Sequence, residues 1–130
     1  MTDDNKKILI VEDEVAVFNA LKDKLLINGF EVLEAKNGKE GLSLALKEHP
    51  DLILLDIIMP KMGGITMMKN LRSDSWGAKV PIIILTNLNS DDSIIKAIED
   101  NKPSFYLVKS DWNINDVVIK VRELLGMTNK

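Results

Sequence analysis

Leu52-Ile53-Leu54-Leu55-Asp56 is a run of four apolar residues that ends on a carboxylate, and its reading decides the fold. A short, continuous apolar run suits a strand covered on both faces, as happens when helices pack on each side of a parallel sheet. The same design recurs along the chain. Residues 8–11 precede Glu12 and Asp13, residues 82–85 precede Thr86, and residues 106–108 precede Lys109. In an open parallel sheet, ligands sit in the crevice beyond the carboxyl ends of the strands, so groups equally placed at strand ends are expected to meet in one pocket. Three carboxylates, a hydroxyl and an ammonium would share it.

Stretches of helical periodicity fill the intervals, the pattern of repeated strand and helix units. Strands are expected at 7–11, 31–34, 52–55, 81–85 and 105–108. The second alternates polar and apolar residues and so suits an edge. The first helix carries Phe18, Leu21 and Leu25 on one stripe and ends at Asn28 and Gly29; the second carries Leu42, Ala45 and Leu46 and stops before Pro50. A third helix, 66–72, follows the Gly63-Gly64 break. A fourth, 90–100, opens on Ser90 and Asp91 and buries Ile94, Ala97 and Ile98. The fifth places Ile114, Val117, Val118, Val121 and Leu125 at helical spacing between Asn113 as cap and Gly126 as stop. Right-handed crossovers make this an α/β, doubly wound three-layer sandwich, with a five-stranded parallel sheet of order 2-1-3-4-5 and five helices.

A chain of 130 residues with 45% hydrophobic content is expected to form a single domain over 1–130, its core at about 6–125, with no length left for an attached output domain. Basic residues number 17 against 20 acidic, and no basic run exceeds Lys6-Lys7. This leaves no electrostatic footprint of a nucleic-acid or membrane-surface binder, so neither partner is expected. The polar start of the chain and the lack of an apolar stretch near the roughly 20 residues that span a bilayer point to a cytoplasmic protein. Without cysteine, disulfides, thiolate metal sites and redox motifs are excluded.

Strand order 2-1-3 makes the first and third strands neighbours, which brings Glu12, Asp13 and Asp56 together beside the topological switch point. Two like charges about 4 Å apart repel by roughly 4 kcal/mol at an effective dielectric of 20, and a divalent cation relieves that repulsion. Oxygen-only ligation, with positions left open for water and phosphate oxygens, suits Mg²⁺ better than Ca²⁺ or Zn²⁺. Lys109 adds positive charge. Asp56 is already a carboxylate at neutral pH, so it needs no base to act as nucleophile and form an acyl phosphate.

Through Glu12-Asp13, the segment Asp56-Ile57-Ile58-Met59-Pro60-Lys61-Met62-Gly63-Gly64, Thr86 and Tyr106-Leu107-Val108-Lys109, the whole chain resembles the receiver domain of two-component response regulators. The resemblance implies the flavodoxin-like receiver fold and a stand-alone receiver in a phosphorelay. Asp56 would take a phosphoryl group from a sensor histidine kinase, a phosphotransfer protein or a small phosphodonor. Asp13, Asp56 and the backbone carbonyl of Ile58 would hold Mg²⁺, with Glu12 assisting through water. Lys109 and Thr86 would contact the phosphoryl oxygens. Thr86 and Tyr106 would act as the switch that remodels the face made by the fourth helix, fifth strand and fifth helix, which meets a downstream protein. The protein would be a signalling switch and not an enzyme, catalysing at most its own phosphorylation and dephosphorylation.

Three positions depart from the family pattern. Ser110 follows Lys109 where a proline is usual, Asn87 follows Thr86 where a small residue is usual, and Lys102-Pro103-Ser104 replaces a small pair before the fifth strand. A second reading keeps the fold as a phosphorylation-independent interaction module. A phosphatase of the haloacid dehalogenase class would need a second aspartate two positions after Asp56, where Ile58 stands. Met59, Met62, Met67 and Met68 are expected to fill packing gaps, and His49 to be solvated.

Overall fold

The computed structural model describes residues 6–57, 62–86, 96, 100, 105–108 and 113–127, with 86 and 105–108 described by their backbone. Five strands, β1 (Lys7–Val11), β2 (Glu31–Ala35), β3 (Leu52–Asp56), β4 (Ile82–Thr86) and β5 (Phe105–Val108), form one parallel sheet of order β2-β1-β3-β4-β5. Between them run α1 (Val15–Ile27), α2 (Gly38–Glu48) and α3 (Gly64–Arg72), and a C-terminal helix (Ile114–Leu124) closes the chain. The expected fourth helix lies largely outside the described residues; Lys96 and Asp100 are helical and pair at 3.9 Å.

Parity along the apolar runs builds the three layers. Side chains alternate across a strand, so Leu9, Val11, Ile53, Leu55, Ile82 and Ile84 enter one core with Ala45 of α2 and Met67, Met68 and Leu71 of α3. Ile8, Ile10, Leu52, Leu54, Ile83 and Leu85 enter the other, with Phe18, Leu21 and Leu25 of α1 and Val117, Val118 and Val121 of the C-terminal helix. Both faces of the central strands are therefore buried, and the edge strand β2 is half-exposed as its alternation implies. The methionines of α3 fill gaps, both fully buried.

Helix ends follow local chemistry. Asn113 accepts from the Asp116 N–H while Asp116 accepts from the Asn113 N–H, a reciprocal capping box. Gly29 and Gly126 adopt φ of 89° and 71°, the left-handed conformation that ends α1 and the C-terminal helix. Five expectations shift. β3 runs one residue past 55, to Asp56. β2 runs one residue past 34, to Ala35. β4 begins at Ile82 because Pro81 has no N–H to give the ladder, and it runs on to Thr86. α3 begins at Gly64, two residues before the expected start, with Gly63 as its cap. In α2 the stripe against the sheet is Gly38, Gly41 and Ala45, while Leu46 is 39% exposed, because the helix packs so closely against α3 that small residues replace leucine at the contact.

At the opposite end of the sheet from the carboxylates, the exposed His49 is not simply solvated: its ring stacks on Trp76 at 4.3 Å. Nearby, Arg72 donates to the carbonyls of Gly77 and Val80, tying α3 to the start of β4, and burial lowers its pKa. No described helix is long and apolar enough to cross a membrane.

Candidate functional site

The carboxyl ends of β1 and β3 bring the acidic residues together. Val11 stands opposite Leu55, so the next residues, Glu12 and Asp56, come side by side at the sheet's carboxyl edge. Each of Glu12, Asp13 and Asp56 offers a carboxylate oxygen within 4.8 Å of the others. Glu12 is 1% and Asp56 5% exposed, whereas Asp13 faces solvent.

Backbone contacts hold this arrangement. The Glu12 N–H donates to Ala35 O at 3.0 Å, which continues the pairing of β1 with β2 past the end of the strand. The Glu14 N–H donates to Glu12 Oε2 at 3.1 Å, folding the Glu12 side chain back over the start of α1. The partial positive charge at that helix terminus favours carboxylates by typically ~0.3–1 kcal/mol. That is smaller than the repulsion the cluster carries, roughly 3 kcal/mol for each pair of charges about 5 Å apart at an effective dielectric of 20. A helix terminus alone does not account for burying two of three carboxylates together. A positive charge placed among them would offset that repulsion, and the donor set is all oxygen, which is the chemistry of a hard cation.

Asp56 is further fixed by the loop behind it. The Gly64 N–H donates to Ile57 O at 2.9 Å, and a Cβ on Gly64 would overlap Asp56 O and come within 2.9 Å of Ile57 Cα. Only glycine allows α3 to start this close to the strand end.

Thr86 is the last residue of β4, beside β3, where Asp56 stands opposite Leu85. Tyr106 stands opposite Ile84 and Val108 opposite Thr86, so Thr86 and Tyr106 lie on neighbouring strands two register steps apart. Lys109 follows directly on β5 in sequence; it and Ile58 lie outside the described residues, as do Asn87, Pro103 and Ser110.

The residues that seat the loop escape a reading of the apolar runs. Asn37 is one of three buried polar or charged residues among those described, with Glu12 and Asp56. Its Oδ1 accepts from the Glu40 N–H at 2.9 Å, while Glu40 Oε1 accepts from the Lys36 N–H at 3.1 Å. The legible signal was Asn37 followed three residues later by Glu40, a capping-box spacing.

Comparison with known proteins agrees with this geometry. The sequence profile described as response regulator receiver domain matches residues 8–121. The chain is 35% identical over its whole length to a probable transcriptional regulator, ycf27, of Porphyra purpurea, and covers 51% of that protein. It is 33% identical over 95% of its length to the DNA-binding dual master transcriptional regulator RpaA of Synechocystis sp., again covering 51%. Among solved structures, a CheY-like response regulator receiver domain protein from Methanospirillum hungatei superposes with a TM-score of 0.86 at 27% identity, covering 95% of each chain. The chain thus spans about half the length of the curated relatives it matches.

These relatives overturn the expectation that nucleic acid is not a partner. They are regulators of transcription, one of them DNA-binding by description. The physical reason is one of scope: the sparse basic runs describe the surface of 130 residues, and carry nothing about proteins twice that length.

Proposed function

The chain belongs to the response regulator receiver domain family of two-component signalling, and on that premise we propose that Asp56 is its phosphoacceptor. The observation that carries this reading is the convergence of Glu12, Asp13 and Asp56, two of them buried, at the carboxyl edge of the sheet. Asp13, Asp56 and the carbonyl of Ile58, with Glu12 through water, would hold Mg²⁺, which when bound offsets the carboxylate charge and supplies positive charge toward phosphoryl oxygens.

A carboxylate oxygen of Asp56 forms the new bond to phosphorus as the bond from phosphorus to the donor breaks, the electron pair leaving with the donor. No proton has to be taken from Asp56. The chain's part is to position that oxygen and stabilise charge, which suits a switch that processes its own phosphoryl group in place of an external substrate. The donor is a sensor histidine kinase, a phosphotransfer protein or a small phosphodonor. Lys109 and Thr86 contact the phosphoryl oxygens, and Thr86 and Tyr106 carry the change to the surface near the fourth helix expected at 90–100, β5 and the C-terminal helix. The names of the relatives support an output in transcription, and with it a cytoplasmic location.

Incubating the wild-type chain with Mg²⁺ and acetyl phosphate tests the reading. Intact mass is expected to rise by one phosphoryl group, and beryllofluoride to shift amides at the ends of β3, β4 and β5. No adduct and no shift would leave a phosphorylation-independent interaction module, and sustained turnover of added phosphate esters would instead mark a phosphatase.

A further inference from the structure

We propose that Gly38, at the first turn of α2, is a positioning residue for the Asp56 site, acting through the backbone carbonyl of Met62; the inference rests on the reading of Asp56 as phosphoacceptor. The first N–H groups of a helix have no partner within it. Gly38 gives its N–H to Met62 O at 2.8 Å, across from α2 to the loop between β3 and α3. A Cβ on Gly38 would overlap that same oxygen and lie 2.8 Å from Met62 C, both backbone atoms that no rotamer change can move away.

The contact sits at the far end of a short span. Two residues on from Met62, the Gly64 N–H donates to Ile57 O, and Gly64 lies against Asp56 O. Ile57 and Met62 are therefore each held by a helix N-terminus, the first by α3 and the second by α2. The Asn37 cap, with Glu40 Oε1 taking the Lys36 N–H, fixes the first turn of α2, and so the direction in which the Gly38 N–H points. Displacing Met62 shifts Gly63 and Gly64, which follow it directly, and with them the Asp56 and Ile57 backbone that Gly64 lies against. Gly38 touches neither reacting atom nor ion, so its effect is on the geometry of groups that do.

Gly77 provides a matched control. A Cβ there would overlap Leu71 O and lie 2.9 Å from Leu71 C, an equivalent collision with backbone, but between α3 and β4 and away from the carboxylates. The rate of phosphorylation by acetyl phosphate is measured against Mg²⁺ concentration for the full chain and for Gly38→Ala and Gly77→Ala, with melting curves alongside. Gly38→Ala is expected to raise the Mg²⁺ needed for half-maximal rate about 10-fold, the lower end of what losing a ligand-orienting contact costs. Gly77→Ala is expected to lower the melting temperature and leave the Mg²⁺ dependence of wild type. Asn37→Ala frees the same turn of α2 without inserting an atom. It is expected to shift the Mg²⁺ dependence in the same direction, which keeps the test decisive where Gly38→Ala does not fold. A phosphorylated wild type, with Gly38→Ala and Asn37→Ala sharing its Mg²⁺ dependence, overturns the positioning role alone. A wild type that takes no phosphoryl group overturns the reading of Asp56 and this inference with it.

Discussion

Asp56→Asn is expected to take up no phosphoryl group from acetyl phosphate at any Mg²⁺ concentration, and to be more stable than wild type when Mg²⁺ is chelated. The first effect follows from chemistry, since a carboxamide lacks the anionic oxygen that attacks phosphorus. The second follows from the cluster. Asp56 is 5% exposed and shares its space with Glu12 and Asp13, so removing its charge relieves part of a repulsion of roughly 3 kcal/mol per pair at this spacing. A stabilisation of about 1–2 kcal/mol is expected, because interactions that now serve the charged oxygen are weakened in exchange. Intact mass reads the first effect. Urea unfolding in chelator, with the slope unchanged and the midpoint raised, reads the second. An adduct of the same stoichiometry on Asp56→Asn would place the acceptor elsewhere.

Leu54→Ala is expected to destabilise the fold by about 3–4 kcal/mol. Leu54 lies in β3 at the centre of the sheet, opposite Ile10 on one side and Ile83 on the other, and is fully buried in the core shared with α1 and the C-terminal helix. The loss combines transfer of the removed atoms with a cavity that two flanking strands and two helices cannot collapse to fill. That is a large fraction of the roughly 5–15 kcal/mol by which domains of this kind are stable, so a drop in melting temperature of about 10 °C or more is expected. Leu46→Ala, on the 39% exposed side of α2, is expected to change stability by less than about 1 kcal/mol in the same melt.

The contrast between Leu54 and Leu46 also shows how far local pattern reaches. Where a strand is covered on both faces its apolar run is continuous, and β1, β3 and β4 are legible from that alone. Parity then divides each run between the two cores with no further information, and the alternation at 31–34 marks β2 as the edge. The Asn113 cap and the Gly29 and Gly126 stops were legible because each solves a problem within its own turn of chain. Leu46 was misread because periodicity cannot tell how closely two helices approach. α2 meets α3 through Gly41, where a Cβ would come within 2.9 Å of Met67 Sδ and of Val11 Cγ2, and that spacing is set by residues far away in sequence. Gly38 and Gly64 escaped for the same reason, since each reports a backbone approach that exists only once the sheet has formed.

Of the candidate site, the acidic cluster was the legible part. Order 2-1-3-4-5 is the simplest that right-handed crossovers allow, and that order places the ends of β1 and β3 side by side. The burial of Glu12 and Asp56 against the exposure of Asp13 was not legible. It depends on the Glu14 N–H drawing the Glu12 carboxylate back over α1 while Asp13 faces outward.

Titrating Mg²⁺ into the phosphate-free wild-type chain, and following both melting temperature and backbone amide resonances, tests the central claim most directly. The account predicts saturable shifts concentrated at Glu12, Asp13, Asp56 and Ile57. It also predicts a stabilisation that reaches about 2.7 kcal/mol at one hundred times the dissociation constant and is strongly reduced in Asp56→Asn. A wild-type chain whose melting temperature and carboxylate-edge amides stay unmoved at saturating Mg²⁺ would contradict it.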